Sequence, residues 1–369
     1  MQKQRILFIT PLPPPVHGSA MVSQYIKECK ELQEAFQCDF VNLSTSRNID
    51  EIGKSSLMKY LRFIGAYFLV FWKLLTRRYA LCYLAITCHG LGFLKDAPFV
   101  LLCKLFKRRI VIHQHNKGMN RYVDKQPYKW LLPMVYKNTK VILLSWYLYP
   151  DIERIVKKEQ VLICPNGIPY NTEEATVCEL NNDVPHLLFL SNLIPSKGVY
   201  VLLDACKGIK DKGYKFVCDF VGVESKEITK EIFEKAVEER ELKEFAIYHG
   251  PQYGEDKKRC FKNADIFVFP TFYSNECFPL VILEAMQNRL PIISTDEGAI
   301  PDIVKNGING FVCKREDVAS TAEAIEKLLT DKNSRIKMGE NGYRMFKEEL
   351  TLENFNRNIT IILKDLCSQ

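Results

Sequence analysis

The chain has 369 residues, 47% of them hydrophobic and 26% charged, with a net charge of +7. That length exceeds the roughly 250–300 residues one hydrophobic core fills, so two domains are expected, of ordinary globular composition. No run approaches the roughly 20 apolar residues that cross a bilayer, and the apolar part of "MQKQRILFITPLPPP" is too short for a signal peptide.

The charge is unevenly spread. Residues 54–160 hold 20 Lys or Arg against 5 Asp or Glu, whereas the rest of the chain is net acidic. A basic first half suits an anionic partner, such as a membrane surface or a phosphorylated substrate. Nucleic acid is not expected, because no helix-turn-helix, zinc or aromatic RNA-reading signature accompanies the charge. The thirteen cysteines form no C-x-x-C pair and mostly sit in apolar runs. They read as reduced, buried thiols of a cytoplasmic protein.

In chain order, "RILFIT", "CDFVNL", "LCYLAI", "RIVIHQH" and "KVILLS" are strand candidates of the first half. Those of the second are "HLLFLS", "KFVCDFVG", "FAIYHG", "IFVFPT", "PIISTD" and "GFVC". Helical periods fall between them, as in "EITKEIFEKAVEEREL" and "VASTAEAIEKLLTD". Continuous apolar strands separated by helices predict parallel sheets buried on both faces, here an α/β pair of doubly wound domains. The join is expected within the polar stretch 167–186. The predicted division is 1–170, 171–350, and a terminal helix over 351–369 returning toward the first domain. Ligands of such folds bind at the carboxyl ends of the strands, which predicts a site in a cleft between the domains.

The segment "SLMKYLRFIGAYFLVFWKLLTRR" has two readings. At about 100° per residue, Lys59, Arg62, Lys73 and Arg77 share one stripe of a helix, and the rest is apolar and aromatic. Either the helix packs on the first sheet with its basic stripe outward, or it lies on an anionic membrane surface with aromatic residues dipping in. The nearby "CKLFKRR" adds to that attraction. The second reading predicts peripheral attachment to the inner face of the cell membrane and a lipid-linked acceptor.

In "NECFPLVILEAM", residues 275–286, Glu276 and Glu284 bracket an apolar run. Pro279 fits the first turn of a helix, whose free N–H groups at 278, 280 and 281 form a site for phosphate. Eight helical positions span up to about 12 Å, longer than the roughly 5–9.5 Å between the paired carboxyls of glycoside hydrolases. The two acids therefore suit opposite ends of one extended ligand, with a diphosphate between two sugars.

"ECFPLVILEAM" resembles the Glu, seven residues, Glu hallmark of glycosyltransferase family 4, retaining enzymes with two Rossmann-like domains facing across a cleft, the glycosyltransferase B-type fold. "PPPVHGSAM", "IHQHNKG", "PNGI", "LSNLIPSKGVYVLLDA" and "TDEGAIPDIVKNGINGFV" match further family segments in order. The resemblance implies that Glu276 holds donor-sugar hydroxyls and Glu284 the ribose. It implies that Phe278, Pro279 and Leu280 frame the distal phosphate, that Lys197 neutralises the leaving diphosphate, and that Gly18 and Ser19 approach it. His115 would sit near the transferred sugar; it is expected to face the cleft, with His113 pointing oppositely into the core. Asn192 stands where the family has Arg, and Ser19 where it has a second Gly. Pro251 and Gln252 are candidates for the base.

No metal cluster with credible spacing occurs and no cofactor is expected beyond a nucleotide diphosphate sugar as donor. The acceptor is expected to be a glycan or lipid-linked. A non-hydrolysing nucleotide-sugar epimerase and a non-catalytic nucleotide-sugar-binding module are the competing readings. A nicotinamide dehydrogenase is disfavoured, since no G-x-G-x-x-G follows the first strand.

Overall fold

A computed structural model describes residues 3–14, 18–44, 57–171 and 184–368. His17, Cys178 and most of the expected linker lie outside the described residues. The chain forms two compact units, residues 1–166 with 352–369, and residues 167–351.

The first unit is built on β1 (Arg5–Thr10), β2 (Gln37–Asn42), β3 (Leu81–Leu84), β4 (Ile110–His113), β5 (Lys140–Leu143) and β6 (Val161–Ile163). They form one parallel sheet in the order β2-β1-β3-β4-β5-β6. Apolar strand residues are buried because helices cover both faces. Phe8 lies opposite Phe40 and Tyr83, with ring centroids 4.7 and 5.1 Å away. The helices are α1 (Gly18–Glu28), α2 (Lys30–Ala35), α3 (Leu57–Thr76), α4 (Gly90–Leu105) and α5 (Tyr128–Tyr136).

The second unit has β7 (His186–Leu190), β8 (Val217–Val221), β9 (Ala246–Tyr248), β10 (Ile266–Phe269), β11 (Ile292–Thr295) and β12 (Gly310–Cys313). Its parallel order is β12-β11-β10-β7-β8-β9. Between and after them run α6 (Val199–Asp211), α7 (Lys230–Glu239), α8 (Gly254–Lys262), α9 (Leu280–Gln287), α10 (Ile300–Ile303), α11 (Val318–Thr330) and α12 (Lys332–Glu349). The last helix, α13 (Leu352–Ser368), belongs to the first unit and packs on α1 and α2. Phe355, Ile359, Leu363 and Leu366 recur at helical spacing on its buried face.

Two features differ from the sequence expectation. β6 was not among the expected strands, being a three-residue run cut short by Cys164 and Pro165. The basic stripe of α3 does not point outward: Lys73 and Arg77 meet Asp39 of β2 at 2.9 and 2.8 Å. The Tyr79 hydroxyl donates to the same carboxylate at 2.8 Å. An acid on the sheet's edge strand thus turns the cations inward. No helix among the described residues is long and apolar enough to cross a membrane, and the twelve described cysteines are free, most of them buried.

One ionisable network makes the second unit pH-dependent. Asp219 of β8 contacts His186 Nδ1 at 2.8 Å and His249 Nε2 at 2.6 Å. The hydrogen bond to Asp219 raises His186 above the usual histidine range. Partial burial pushes Asp219 up, but the hydrogen bonds from both histidines outweigh it and hold the carboxyl below its ordinary value. The His186 contribution to stability is complete below about pH 6.5 and disappears as pH rises through the raised native pKa. The Asp219 contribution is present above about pH 3.9 and is lost as pH falls through its lowered one. Thermal melts should therefore show a decline from pH 6 to pH 8 that Asp219→Asn flattens. Parallel wild-type and variant profiles would contradict this.

Candidate active site

The strand order of the second unit reverses between β7 and β10, so the loops leaving these two strands flank a crevice at the sheet's carboxyl edge, where open α/β sheets bind ligands. The β7 loop ends in a tight 3-10 turn, Pro195–Lys197, followed by Gly198 at φ +91°. A Cβ at Gly198 would lie 2.3 Å from the carbonyl oxygen of Pro270, so only glycine lets the two loops touch. The Phe272 N–H donates to the Ser196 carbonyl at 2.8 Å, tying them further.

This close approach brings together two of the expected residues. Lys197 Nζ lies 2.5 Å from Glu276 Oε2, with both side chains largely buried. The ammonium also sits 4.5 Å from the Tyr273 ring centroid and 5.5 Å from that of Phe269. Aromatic faces attract a cation without neutralising it. Tyr273 is a site residue that sequence reasoning missed, since no spacing rule links it to Lys197.

The Glu276 segment is fixed from both sides. Its own N–H donates to the Tyr273 carbonyl at 2.8 Å, and the Cys277 carbonyl accepts from Ala299 at 2.7 Å. Gly298, at φ +58°, lets the β11 loop run against this backbone, and a Cβ there would stand 2.3 Å from the Glu276 carbonyl oxygen. α9 begins one residue later than expected: Pro279 is its N-cap, with ψ 113°, and Leu280 is the first helical residue. That extended ψ keeps the proline out of the first turn. The amides of Leu280 and Val281 remain in that turn, where helices leave N–H groups without intrahelical partners and favour an anion.

Glu284, one helical turn onward, receives Lys257 Nζ of α8 at 2.6 Å. Lys257 is a second missed residue. Asn192 is exposed at the start of the β7 loop. Pro251 is exposed and Gln252 half-buried in the loop after the edge strand β9, where Gln252 Nε2 donates to the His249 carbonyl at 2.9 Å.

In the first unit the strand order reverses between β1 and β3. α1 starts at Gly18 after β1, and among the described residues a Cβ there would meet no atom within 4 Å. Ser19 follows, its carbonyl accepting from Ser23 Oγ at 2.9 Å. His115 is half-buried. It does not diverge from His113 as expected: positions two apart along an extended chain share a face, and the two rings are 4.0 Å apart. His113 is fully buried, with Nδ1 2.6 Å from the Tyr83 hydroxyl. Burial and the neighbouring His115 hold His113 well below the usual histidine range, so it is neutral. His89, the N-cap of α4 at the carboxyl end of β3, stacks on Tyr122 and also went unnoticed in the sequence.

Solved structures share this architecture. Sucrose-phosphate synthase from Thermosynechococcus elongatus matches over 99% of this chain and 100% of its own, with a TM-score of 0.75 and 17% identity. Anabaena HepE in complex with UDP matches over 98% and 100%, with a TM-score of 0.77 and 14% identity. The chain has the glycosyltransferase B-type fold. The family described as glycosyl transferases group 1 matches residues 171–345, which lie within the second unit of this B-type chain. The capsular polysaccharide biosynthesis glycosyltransferase CapM of Staphylococcus aureus is 27% identical over 216 residues, 54% of each chain. The match thus spans about half the length of that relative.

Proposed function

We propose that the chain is a retaining glycosyltransferase of family 4 that moves a hexose from a nucleotide diphosphate sugar to a glycan or lipid-linked acceptor in cell-surface polysaccharide or glycolipid assembly. The observation that carries this reading is the Lys197–Glu276 contact at the switch point of the second sheet, beside the start of α9. The match to glycosyl transferases group 1, the capsular relative and the UDP complex of a structural neighbour support it.

In this mechanism the acceptor hydroxyl attacks the anomeric carbon from the face of the departing diphosphate. The bond from that carbon to the phosphate oxygen breaks, the leaving oxygen takes the acceptor's proton, and the nucleotide diphosphate departs. Lys197 and the first amides of α9 stabilise the developing negative charge, with no metal or other cofactor required. Glu276 holds donor-sugar hydroxyls, Glu284 holds the ribose, and Lys257 supplies the cationic contact that Asn192 cannot. Gly18, Ser19 and His115 serve from the first unit, and Pro251 and Gln252 contact the base.

A panel of nucleotide diphosphate sugars screened by thermal shift, followed by nucleotide release with acceptors, tests this reading. Expected are one preferred donor, acceptor-dependent release insensitive to EDTA, and a product with the donor's anomeric configuration by proton NMR. Inverted configuration, or loss on EDTA treatment that is restored by a divalent cation, would contradict the mechanism. A nucleotide-sugar isomer formed without acceptor would point to an epimerase instead, and donor binding without release to a binding module.

A further inference from the structure

The outward half of α3 is apolar. Val70 and Leu74 are buried, Phe63 and Tyr67 meet Phe99 edge-on at 5.4 and 5.7 Å, and Lys73 and Arg77 face Asp39. These contacts fix the helix's inward side. On the opposite arc Tyr60, Leu61, Ile64, Phe68, Trp72 and Leu75 are all exposed, Phe68 by 64% and Trp72 by 62%. At about 100° per residue these positions share one continuous half of the helix, and no charged residue falls among them. Water-facing helices carry their charges outward, and α3 does the reverse. Contiguous exposed apolar surface of this kind marks an interaction site.

The surroundings are basic. No Asp or Glu occurs between Glu51 and Asp96. Exposed Arg78 follows the helix, and exposed Lys107 follows Phe106, whose ring is 5.8 Å from that of Phe71. A second copy docked through the same face would set like charges against each other, whereas an anionic lipid surface complements them. A helix of 20 residues with Trp and Tyr on its apolar arc also suits the headgroup boundary.

We infer that α3 lies in the plane of an anionic bilayer surface, its apolar arc among the acyl-chain ends and its flanking cations on the headgroups. Arg62, Leu69 and Gly65 of the same helix, with Asn42 and Ser44, line a cavity of about 440 Å³ at the carboxyl end of β2. Such a seat sets that strand edge at the membrane, where a lipid-linked substrate enters.

Vesicle sedimentation of the full chain tests this, with phosphatidylcholine alone and with added phosphatidylglycerol. Brominated acyl chains quench the indole that inserts, in a variant with Trp130 and Trp146 replaced by Phe. Expected are binding to the anionic vesicles that falls at least tenfold in Phe68→Ser/Trp72→Ser, quenching of Trp72, and weaker binding in high salt. Arg78→Glu/Lys107→Glu should also weaken it severalfold. These positions are exposed, so unchanged thermal melts of the variants confirm folding. Equal partition to both vesicle types at low salt, or an α3-dependent dimer that ignores vesicles, would overturn the inference. Donor binding by thermal shift is a separate readout, so failure here leaves the transfer reading standing, and the reverse.

Discussion

Lys197→Ala is expected to lower turnover by about two to three orders of magnitude while the fold persists, because a preorganised donor at developing charge is typically worth about 2.7–4 kcal/mol. The ammonium is held by Glu276 at 2.5 Å and by two aromatic faces, so it reaches the site already oriented. Preorganisation of that kind acts on the transition state and should appear in kcat rather than KM. Glu276→Ala should bring a similar loss, since in the proposed mechanism it removes a sugar contact, and it releases the lysine. The two side chains touch, so the double variant should lose clearly less than the product of the single losses. Glu284→Ala, by contrast, should raise the donor KM with a smaller effect on kcat. Steady-state kinetics with circular dichroism as a folding control measures all four; near-normal kcat in Lys197→Ala would remove its assigned role.

Gly298→Ala should damage the site through the backbone that carries Glu276. The backbone there is left-handed, which costs a residue with a Cβ about 1–2 kcal/mol. The new Cβ would also fall 2.3 Å from the Glu276 carbonyl oxygen, so the backbone carrying Glu276 has to move. A melting temperature lowered by several degrees and turnover reduced at least tenfold are expected. Gly213→Ala is the control: Gly213 has φ +87° but nothing within 4 Å of its would-be Cβ. It carries the backbone penalty alone and should leave turnover unchanged. Equal loss of turnover in both variants would show that overlap with the Glu276 backbone is not the cause.

Much of this architecture was legible because buried parallel strands write themselves as unbroken apolar runs. All eleven expected strands form, and the missing one, β6, is too short to show a pattern. α12 was not singled out either, since two of its buried residues, Gly339 and Gly342, are not apolar signals. The candidate site was legible only where a motif carried it. Lys197 and Glu276 are 79 positions apart, and Lys257 and Glu284 are 27 apart, so their pairing follows from the sheet order and not from local spacing. The arc of α3 could be drawn from the sequence, but its direction depends on Asp39, 34 positions before Lys73. The expected divergence of His113 and His115 failed because positions two apart along a strand lie on one face, so their spacing itself brings the rings together.

The central claim is that the start of α9, with Lys197 beside it, grips a diphosphate. A crystal structure with a bound nucleotide diphosphate sugar tests it most directly. The expected density places the distal phosphate within hydrogen-bond reach of Lys197 Nζ and the Leu280 amide, with Glu276 on the sugar and Glu284 on the ribose. A nucleotide bound elsewhere, with Glu276 and Glu284 out of contact, would contradict it.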